Sequence, residues 1–473
     1  MTPRSLAWIA RASGGDLHGA DRMVDALATD TRALPQGMAA LFVALKGEQF
    51  DGHEHVEAAA HGGCVAALVS RVVNAEIVQV VVADTERALA AIAAEAQRAR
   101  STKVLAVTGS NGKTSVKSLL LSIMEQLGGA YATPGNRNNE IGLPLAVLEA
   151  PEDARFAVYE MGAGKPGDIA YLTAIARPDV ALVNNIAPAH LERMGSLLGV
   201  ADTKAAIYDA LPADGVAVIN ADDAFAPYFM ARAQGRRVVR FGLEATADIS
   251  ARDIDADGEA SRFLLVTPQG DMPIALPMAG RHNVRNALAA AAMALAAGAS
   301  LAQVRDGLNA VQPVAGRLVL HCLHSGAVLV DDSYNANPGS LDAAIDTLAA
   351  SGDDAWLVLG DMRELGADEL ALHAQAGARA KAAGISRLYT LGTLSAATAD
   401  AFGDGARHTA SHAQLVVDLL ADLRTAAAPG ATRNLRVLVK GSRGSAMDRV
   451  VQAVLSADAA DANAVEEGEA DAA

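Results

Sequence analysis

The sequence predicts an α/β protein of three domains, and three observations support this fold class. The chain has 473 residues, and a common domain has about 150. Hydrophobic residues make up 51% of the chain, which is enough for several packed cores. Short apolar segments alternate with helical patterns along most of its length, as in parallel sheets that are covered by helices.

The domain boundaries are expected where this pattern changes. Residues 1–100 are predicted to form a small α/β domain, and residues 101–314 a central domain with a mostly parallel sheet. Residues 315–456 are predicted to form a doubly wound, Rossmann-like domain. Residues 457–473 are acidic and rich in Ala, and we expect a disordered tail there.

Apolar β-type segments define the predicted strands of each domain. They lie at 41–45, 65–69 and 78–83, then at 104–108, 156–160, 180–184 and 216–220, and finally at 328–330, 356–359, 387–391 and 436–439. Helices are predicted over 84–100 and 286–298, and further short strands within 236–275.

Charge and composition exclude several classes of protein. The formal net charge of −16 argues against a nucleic-acid partner, because such binding depends on neutralising phosphates. Two cysteines are too few for a disulfide framework. The longest nearly apolar run, residues 287–299, is shorter than the ~20 residues of a membrane span. We therefore expect a cytoplasmic protein without membrane insertion.

A short glycine-rich loop is the most informative segment. It follows an apolar strand, precedes a helical pattern, and consists of Gly109, Ser110, Asn111, Gly112, Lys113 and Thr114. Glycines let backbone N–H groups approach phosphate oxygens, the lysine adds a charge, and the threonine hydroxyl can reach Mg²⁺. Only two residues separate the glycines, against four in the common phosphate loop, and a plain glycine-rich turn is the alternative.

Polar residues at neighbouring strand ends suggest a metal site. Glu160 ends one predicted strand of the central sheet, and Thr114 and His190 follow two others. All three are expected on one rim, where Glu160 and His190 could hold Mg²⁺. Mg²⁺ prefers oxygen ligands, so His190 taken by itself is interpreted as a loop residue that forms hydrogen bonds. Glu160 alone fits either a ligand or a solvated carboxylate. Lys204 alone fits a solvated helix lysine.

These segments together resemble the Mur ligases, ATP-dependent enzymes that form amide bonds in peptidoglycan synthesis. The resemblance covers nearly the whole chain except the acidic tail. It rests on residues 108–114, 133–144, 160–162, the segment around His190, Lys204, and residues 280–286, 316–317 and 331–338, in the family order.

Three segments resemble the branch of the family that adds D-alanyl-D-alanine to UDP-N-acetylmuramoyl-tripeptide. They are residues 331–338, 359–366, and 30–32 together with 44–53. The Asp-Asn-Pro-Arg signature of the branch that adds diaminopimelate is absent from the chain. The resemblance implies these two substrates, an acyl-phosphate intermediate and a monomer. It leaves open whether the third peptide residue is diaminopimelate or lysine.

The resemblance implies ATP and two Mg²⁺ ions as cofactors and assigns catalytic roles. Lys113 contacts the β- and γ-phosphates, and Arg317 reaches the γ-phosphate from the next domain. Thr114, Glu160 and His190 carry Mg²⁺. Lys204 matches a lysine that is carbamylated, a reaction that needs a neutral amine.

The remaining implied roles concern binding. Asn283 matches an adenine contact and Asp332 a ribose contact. Asn138 and Asn139 match the segment near the muramoyl substrate, and Thr31 and Arg32 the segment near its uridine. Tyr334 stands where some relatives carry Lys, and we expect it to stack on adenine. Lys440 and Arg443 are weaker candidates for the C-terminal side of the cleft.

Two other functions fit the sequence less well. A folylpolyglutamate-type ligase is also an ATP-dependent carboxylate–amine ligase, but it would not need the first 100 residues, which carry Asp30-Thr31-Arg32. A non-catalytic GTP switch would carry an Asn-Lys-x-Asp motif, and no Lys of this chain follows an Asn.

Overall fold

The computed structural model describes residues 1–188, 191–256, 259–312, 314–351, 354–426 and 434–471. It confirms the predicted α/β fold class, with one large open sheet in each third of the chain. None of the helices in these ranges has the length and apolar character that crossing a bilayer requires.

The N-terminal part is a five-stranded sheet with strand order β2-β7-β6-β5-β4, beside a small β1-β3 ribbon. Asp84 caps the helix that follows β7, because its side chain accepts the N–H groups of Glu86 and Arg87. The elements are β1 (Arg4–Ser5), α1 (Leu6–Ser13), β2 (Asp16–His18), β3 (Met23–Val24), β4 (Ala26–Ala28), β5 (Ala40–Val43), α2 (Val56–His61), β6 (Ala66–Val69), β7 (Val78–Val81) and α3 (Thr85–Arg98).

The central part is a six-stranded sheet of parallel strands, ordered β13-β12-β11-β8-β10-β9, with an antiparallel β14-β15-β16 sheet packed beside it. The elements are β8 (Lys103–Thr108), α4 (Lys113–Glu125), β9 (Ala130–Ala132), α5 (Gly142–Glu149), β10 (Phe156–Glu160), α6 (Asp168–Ala176), β11 (Val180–Val183), α7 (Leu191–Met194), α8 (Leu197–Asp209), β12 (Val216–Asn220), α9 (Ala226–Arg232), β13 (Arg237–Phe241), β14 (Ser250–Ala256), β15 (Ser261–Thr267), β16 (Gly270–Leu276), α10 (Arg281–Ala297) and α11 (Leu301–Ala310). Its inner strands are buried on both faces, which explains their continuous apolar sequences.

The C-terminal part is a six-stranded sheet ordered β17-β18-β22-β19-β20-β21, parallel except for β17. The elements are β17 (Val319–Cys322), β18 (Val328–Asp332), α12 (Pro338–Ala349), β19 (Asp354–Gly360), α13 (Glu369–Ala382), β20 (Arg387–Leu391), α14 (Ala396–Phe402), β21 (Ala406–Thr409), α15 (His412–Ala426), β22 (Leu435–Lys440) and α16 (Asp448–Asp471). Alternate strand residues pack against α12, α13 and α14 on one face and against α15 and α16 on the other.

The acidic tail differs from the prediction. We expected disorder from residue 457, but α16 continues as a helix to Asp471. The alanines of this segment have high helix propensity, and the Asp458 carboxylate accepts the His324 N–H at 2.9 Å.

Candidate functional site

Two neighbouring cavities lie at the carboxyl ends of the central strands, where the central and C-terminal parts face each other. We call them cavity A, of about 240 Å³, and cavity B, of about 380 Å³. The wall between the cavities consists of the residues that line both, which are Ser110, Lys113, Arg317, Tyr334 and Asn335. Cavity A also contacts residues 110–115, Asn283 and Asp332, whereas cavity B contacts Asn138, Asn139, Glu160 and Lys204.

The glycine-rich loop has the strand–turn–helix geometry that the sequence predicted. Gly112 has φ +77°, and a Cβ there would come within 2.5 Å of Asn286 Oδ1, so only glycine fits. Helix α4 begins at Lys113, and no described side chain caps its first turn. Free N–H groups and the positive end of the helix dipole therefore face cavity A.

Two loop amides are used differently from the prediction. Instead of facing the cavity, the N–H groups of Ser110 and Asn111 donate to the carbonyl and the side chain of Asn185, at 2.9 and 2.8 Å. Asn184 Nδ2 donates to the Asn111 carbonyl at 3.0 Å and to Asn286 Oδ1 at 3.1 Å. Asn184 and Asn185 were not identified from sequence. Their position directly after β11 was the available signal.

Glu160 ends β10 as a buried carboxylate, 2% exposed. Its Oε1 accepts a hydrogen bond from Asn138 Nδ2 at 2.8 Å, and its Oε2 lies 3.3 Å from Lys117 Nζ. Although burial alone would raise its pKa, the ammonium groups of Lys117 and Lys113 hold the pKa of Glu160 below its ordinary value. The site therefore contains an ionised carboxylate.

Lys117 is a site residue that the sequence analysis missed. It is 6% exposed, and its ammonium donates to the carbonyl of Thr133 at 3.0 Å and of Gly135 at 2.6 Å. A signal was available, because Lys117 follows Lys113 by four residues and thus lies one helical turn further along α4.

Lys204 lies in α8, 2% exposed, and its side chain reaches cavity B. Burial, together with repulsion from Lys113, lowers its pKa to about 7. No described residue pairs with its ammonium in a hydrogen bond or salt bridge. The local sequence alone favoured a solvated lysine on a helix, and this interpretation of Lys204 is therefore wrong.

Arg317 joins the two parts of the chain. Its Nη2 donates to the Thr114 hydroxyl at 3.0 Å, and its Cζ lies 4.5 Å from the centroid of the Tyr334 ring. The sequence did not predict this partner for Tyr334. Stacking of the Tyr334 ring on adenine stays a prediction. Because Arg317 lies over the ring, adenine would have to stack on the face that Arg317 leaves open.

The rest of cavity A combines residues from α10 and the C-terminal sheet. Helix α10 begins at Arg281, five residues before the predicted start, so Asn283 lies in its first turn. Beside it, burial lowers the pKa of His282 to about 4, which makes its imidazole neutral near pH 7. Opposite, Lys440 Nζ lies 2.5 Å from Asp332 Oδ2, and burial raises the pKa of Asp332.

Several predicted site residues lie elsewhere. Thr31 and Arg32 are in an exposed 3₁₀ turn of the N-terminal part and line neither cavity; Arg32 there pairs with Asp30 at 2.6 Å. His190 lies outside the described residues. Among those described, no three His, Cys, Asp or Glu side chains come together as a metal-binding group.

Comparison with known proteins agrees with this geometry. The profile described as "Mur ligase middle domain" matches residues 107–294, and "Mur ligase, glutamate ligase domain" matches residues 316–443. A crystal structure of MurF from Acinetobacter baumannii superposes with a TM-score of 0.90 and 33% identity, covering 96% of this chain and 98% of that one.

Two further relatives cover most of the sequence. MurF ligase from Thermotoga maritima, solved in complex with ADP, has a TM-score of 0.80 and 26% identity over 91% of this chain and 97% of its own. The UDP-N-acetylmuramoyl-tripeptide–D-alanyl-D-alanine ligase of Escherichia coli (strain K12) is 42% identical over 96% of this chain and 99% of its own length. From these matches and the convergent site, the chain belongs to the Mur ligase family.

Proposed function

We propose that the chain is an ATP-dependent ligase that joins D-alanyl-D-alanine to UDP-N-acetylmuramoyl-tripeptide in peptidoglycan synthesis. One observation carries the proposal: Lys113 and Arg317 are the two cationic residues in the wall shared by cavities A and B. A triphosphate in cavity A and a peptide carboxylate in cavity B would meet at these two cations.

The proposed reaction activates the carboxylate and then forms the amide. A carboxylate oxygen of the tripeptide attacks the γ-phosphorus of ATP, ADP leaves, and an acyl phosphate results. The amine of the dipeptide attacks the acyl carbon, loses a proton, and phosphate leaves. Lys113 and Arg317 neutralise charge on the transferred phosphoryl group, which is the main contribution a protein makes to such transfer.

Within cavity A, Asn283 would contact adenine, Asp332 the ribose, and the first turn of α4 the phosphates. In cavity B, Asn138 and Asn139 would contact the muramoyl part. Thr31 and Arg32 would contact uridine if the nucleotide of the substrate reaches the N-terminal sheet. We assign residues 1–100 to UDP-sugar binding, 101–314 to ATP binding, and 315–456 to the third, Rossmann-like domain.

The residues present fit Mg²⁺. Glu160 Oε2 is buried and accepts no hydrogen bond from the described residues, and carboxylate and hydroxyl oxygens are the ligands Mg²⁺ prefers. Glu160 and Thr114 would hold one ion, and we propose that His190 and a carbamylated Lys204 complete a two-ion site. The ions would neutralise phosphate charge.

Carbamylation of Lys204 is supported by its burial and by its pKa of about 7, which leaves much of the amine neutral near that pH. The carbamate would replace an unpaired ammonium with a carboxylate. Isotopically labelled bicarbonate should give a carbamate signal in the wild-type protein and none in Lys204→Met.

The assay for the proposed function mixes the purified chain with ATP, UDP-N-acetylmuramoyl-tripeptide and D-alanyl-D-alanine. We expect ADP, phosphate and pentapeptide product in equal amounts, and no product when glutamate and a folate replace the two peptide substrates. Use of the folate pair would favour the folylpolyglutamate alternative. We propose that the chain acts as a monomer in the cytoplasm, where ATP is available.

A further inference from the structure

Helix α4 carries two lysines with different partners. Lys113, its first residue, lies in the wall between cavities A and B. Lys117 follows four residues later, about 6 Å further along the helix axis. It lines neither cavity, and its ammonium instead contacts the loop between β9 and α5. We call residues 133–139 of this loop the asparagine loop. The phosphate chemistry of Lys113 does not explain this second contact of the helix.

The asparagine loop lines cavity B, although little of it is packed against the protein. Its side chains in the cavity are those of Asn136, Asn138 and Asn139. Of its seven residues, only Thr133 is buried. The pair between Arg137 and Glu149 is exposed, so solvent screens it and it restrains the loop little. Since exposed loops with few apolar contacts are mobile, the placement of these asparagines depends on buried hydrogen bonds.

Both ends of the asparagine loop are fixed on β10 and the residues just after it. At the start of the loop, the Thr133 N–H donates to the Val158 carbonyl at 3.0 Å. At its end, the Gly162 N–H donates to the Asn138 carbonyl at 2.7 Å, and Asn138 Nδ2 donates to Glu160 Oε1 at 2.8 Å. These contacts fix the two ends and leave the middle of the loop to other partners.

Lys117 contacts the middle of the loop. Its Nζ donates to the Gly135 carbonyl at 2.6 Å and to the Thr133 carbonyl at 3.0 Å, and it lies 3.3 Å from Glu160 Oε2. The lysine is only 6% exposed, so water competes little for these hydrogen bonds. One buried ammonium therefore ties the loop to helix α4 and to the end of β10 at the same time.

We propose that Lys117 is a positioning residue for the UDP-linked substrate, because it holds the asparagine loop in the shape that places its asparagines in cavity B. The proposal rests on the proposed function, since the ligand concerned is the substrate of that function. An ammonium suits the task, because it has three donors and its neighbours here are two carbonyls and one carboxylate. Helix α4 then orders the phosphate site with its first turn and the peptide-substrate site one turn later.

The test measures the binding of UDP-N-acetylmuramoyl-tripeptide and of ATP separately, by calorimetric titration in metal-free buffer. Lys117→Met should weaken binding of the tripeptide substrate by about 10–100-fold and that of ATP by less than about threefold, because only the loop contacts are lost. The amides of residues 133–139 should exchange hydrogen at least about tenfold faster, and those of residues 109–114 at the wild-type rate. Lys103→Met, an exposed lysine on β8, should change none of these.

A double variant separates this role of Lys117 from charge balance. Lys117→Met with Glu160→Gln contains no buried carboxylate without a counter-ion, so it should be more stable than Lys117→Met. It still lacks the ammonium that holds the loop, so the UDP-linked substrate should bind as weakly as in Lys117→Met and the loop amides should exchange as fast. This variant also carries the test if Lys117→Met alone does not fold.

Wild-type affinity for the substrate in the double variant would overturn the proposal, because Lys117 would then act through charge balance alone. Unchanged substrate affinity or unchanged loop exchange in Lys117→Met would overturn it as well, and so would an equal loss of ATP affinity. A wild-type protein that does not bind the UDP-linked tripeptide would instead contradict the proposed function.

Discussion

Lys117 balances the buried charge of Glu160. The two side chains are 6% and 2% exposed, so neither charge is stabilised by much water. A buried ion pair can contribute little net stability, but removing one partner leaves the other charge without compensation.

Lys117→Met should therefore lower the free energy of unfolding by about 3–5 kcal/mol. The double variant, Lys117→Met with Glu160→Gln, should recover part of the lost free energy of unfolding, because it no longer contains a buried carboxylate without a counter-ion. Urea unfolding of the metal-free protein measures both, with Lys103→Met, an exposed lysine on β8, as the control. A loss no larger than that of the control would show that the pair carries no such charge balance.

Lys204 should make stability depend on pH. Its pKa is about 7 in the folded protein and 10.5 in an unperturbed lysine, so burial penalises the charged form. Below about pH 7 the amine is protonated in both states and the whole penalty applies. Between the two pKa values Lys204 is deprotonated in the folded protein but still protonated in the unfolded protein. The penalty therefore decreases as the pH rises through this range.

Without bicarbonate, Lys204→Met should be more stable than the wild-type protein by on the order of 2–4 kcal/mol near pH 6. The difference should shrink toward zero near pH 10. Urea unfolding at these two pH values is the measurement. A difference that does not change with pH would mean that the Lys204 pKa is not lowered.

The turn between β8 and α4 depends on Gly112. Its φ of +77° disfavours any side chain, and its Cβ position is filled by Asn286 Oδ1 at 2.5 Å and Asn184 Nδ2 at 2.6 Å. Gly128 offers a matched comparison, since it has φ +78° at the other end of α4 but no atom within 4 Å of its Cβ position.

We expect Gly112→Ala to weaken ATP binding at least about tenfold, because the loop must move away from the cavity. Gly128→Ala should cost only the ~1–2 kcal/mol of stability that a left-handed alanine costs, with ATP affinity unchanged. Calorimetric titration with ATP and urea unfolding separate the two effects. Equal ATP affinity in both variants would contradict this role for Gly112.

Local sequence was sufficient for the main elements of the site. The strand, the glycine loop and the helix are consecutive, so β8 and α4 could be predicted, and β10 and β12 were predicted with their observed ends. The short strands β1 to β4 were missed, because segments of only two or three residues carry no clear periodic pattern. The hydrogen bond from Asn184 to Asn286 joins residues 102 positions apart, a distance over which local patterns give no signal.

The central and C-terminal parts meet through direct contacts at the proposed reaction centre. Arg317 donates to Thr114, and Asn337 Nδ2, at the start of α12, donates to Asn111 Oδ1 at 2.6 Å. Sequence analysis connected Arg317 to the loop only through family resemblance. Its contact with Thr114 depends on how the two sheets are docked.

Arg317→Met should therefore lower kcat by about 10²–10³-fold, because a charge beside the transferred phosphoryl group is lost. KM for the UDP-linked substrate should change little. Steady-state kinetics with Arg252→Met, an exposed arginine on β14, as the control measure this. An unchanged kcat would place Arg317 outside the reaction centre.

The most direct measurement is a crystal structure with a non-hydrolysable ATP analogue, Mg²⁺ and the UDP-linked tripeptide. We expect the terminal phosphate between Lys113 Nζ and the Arg317 guanidinium, with the metal on Glu160 and the peptide carboxylate in cavity B. A terminal phosphate out of reach of both cations, or a peptide bound away from cavity B, would contradict the proposed convergence of two substrates on one shared wall.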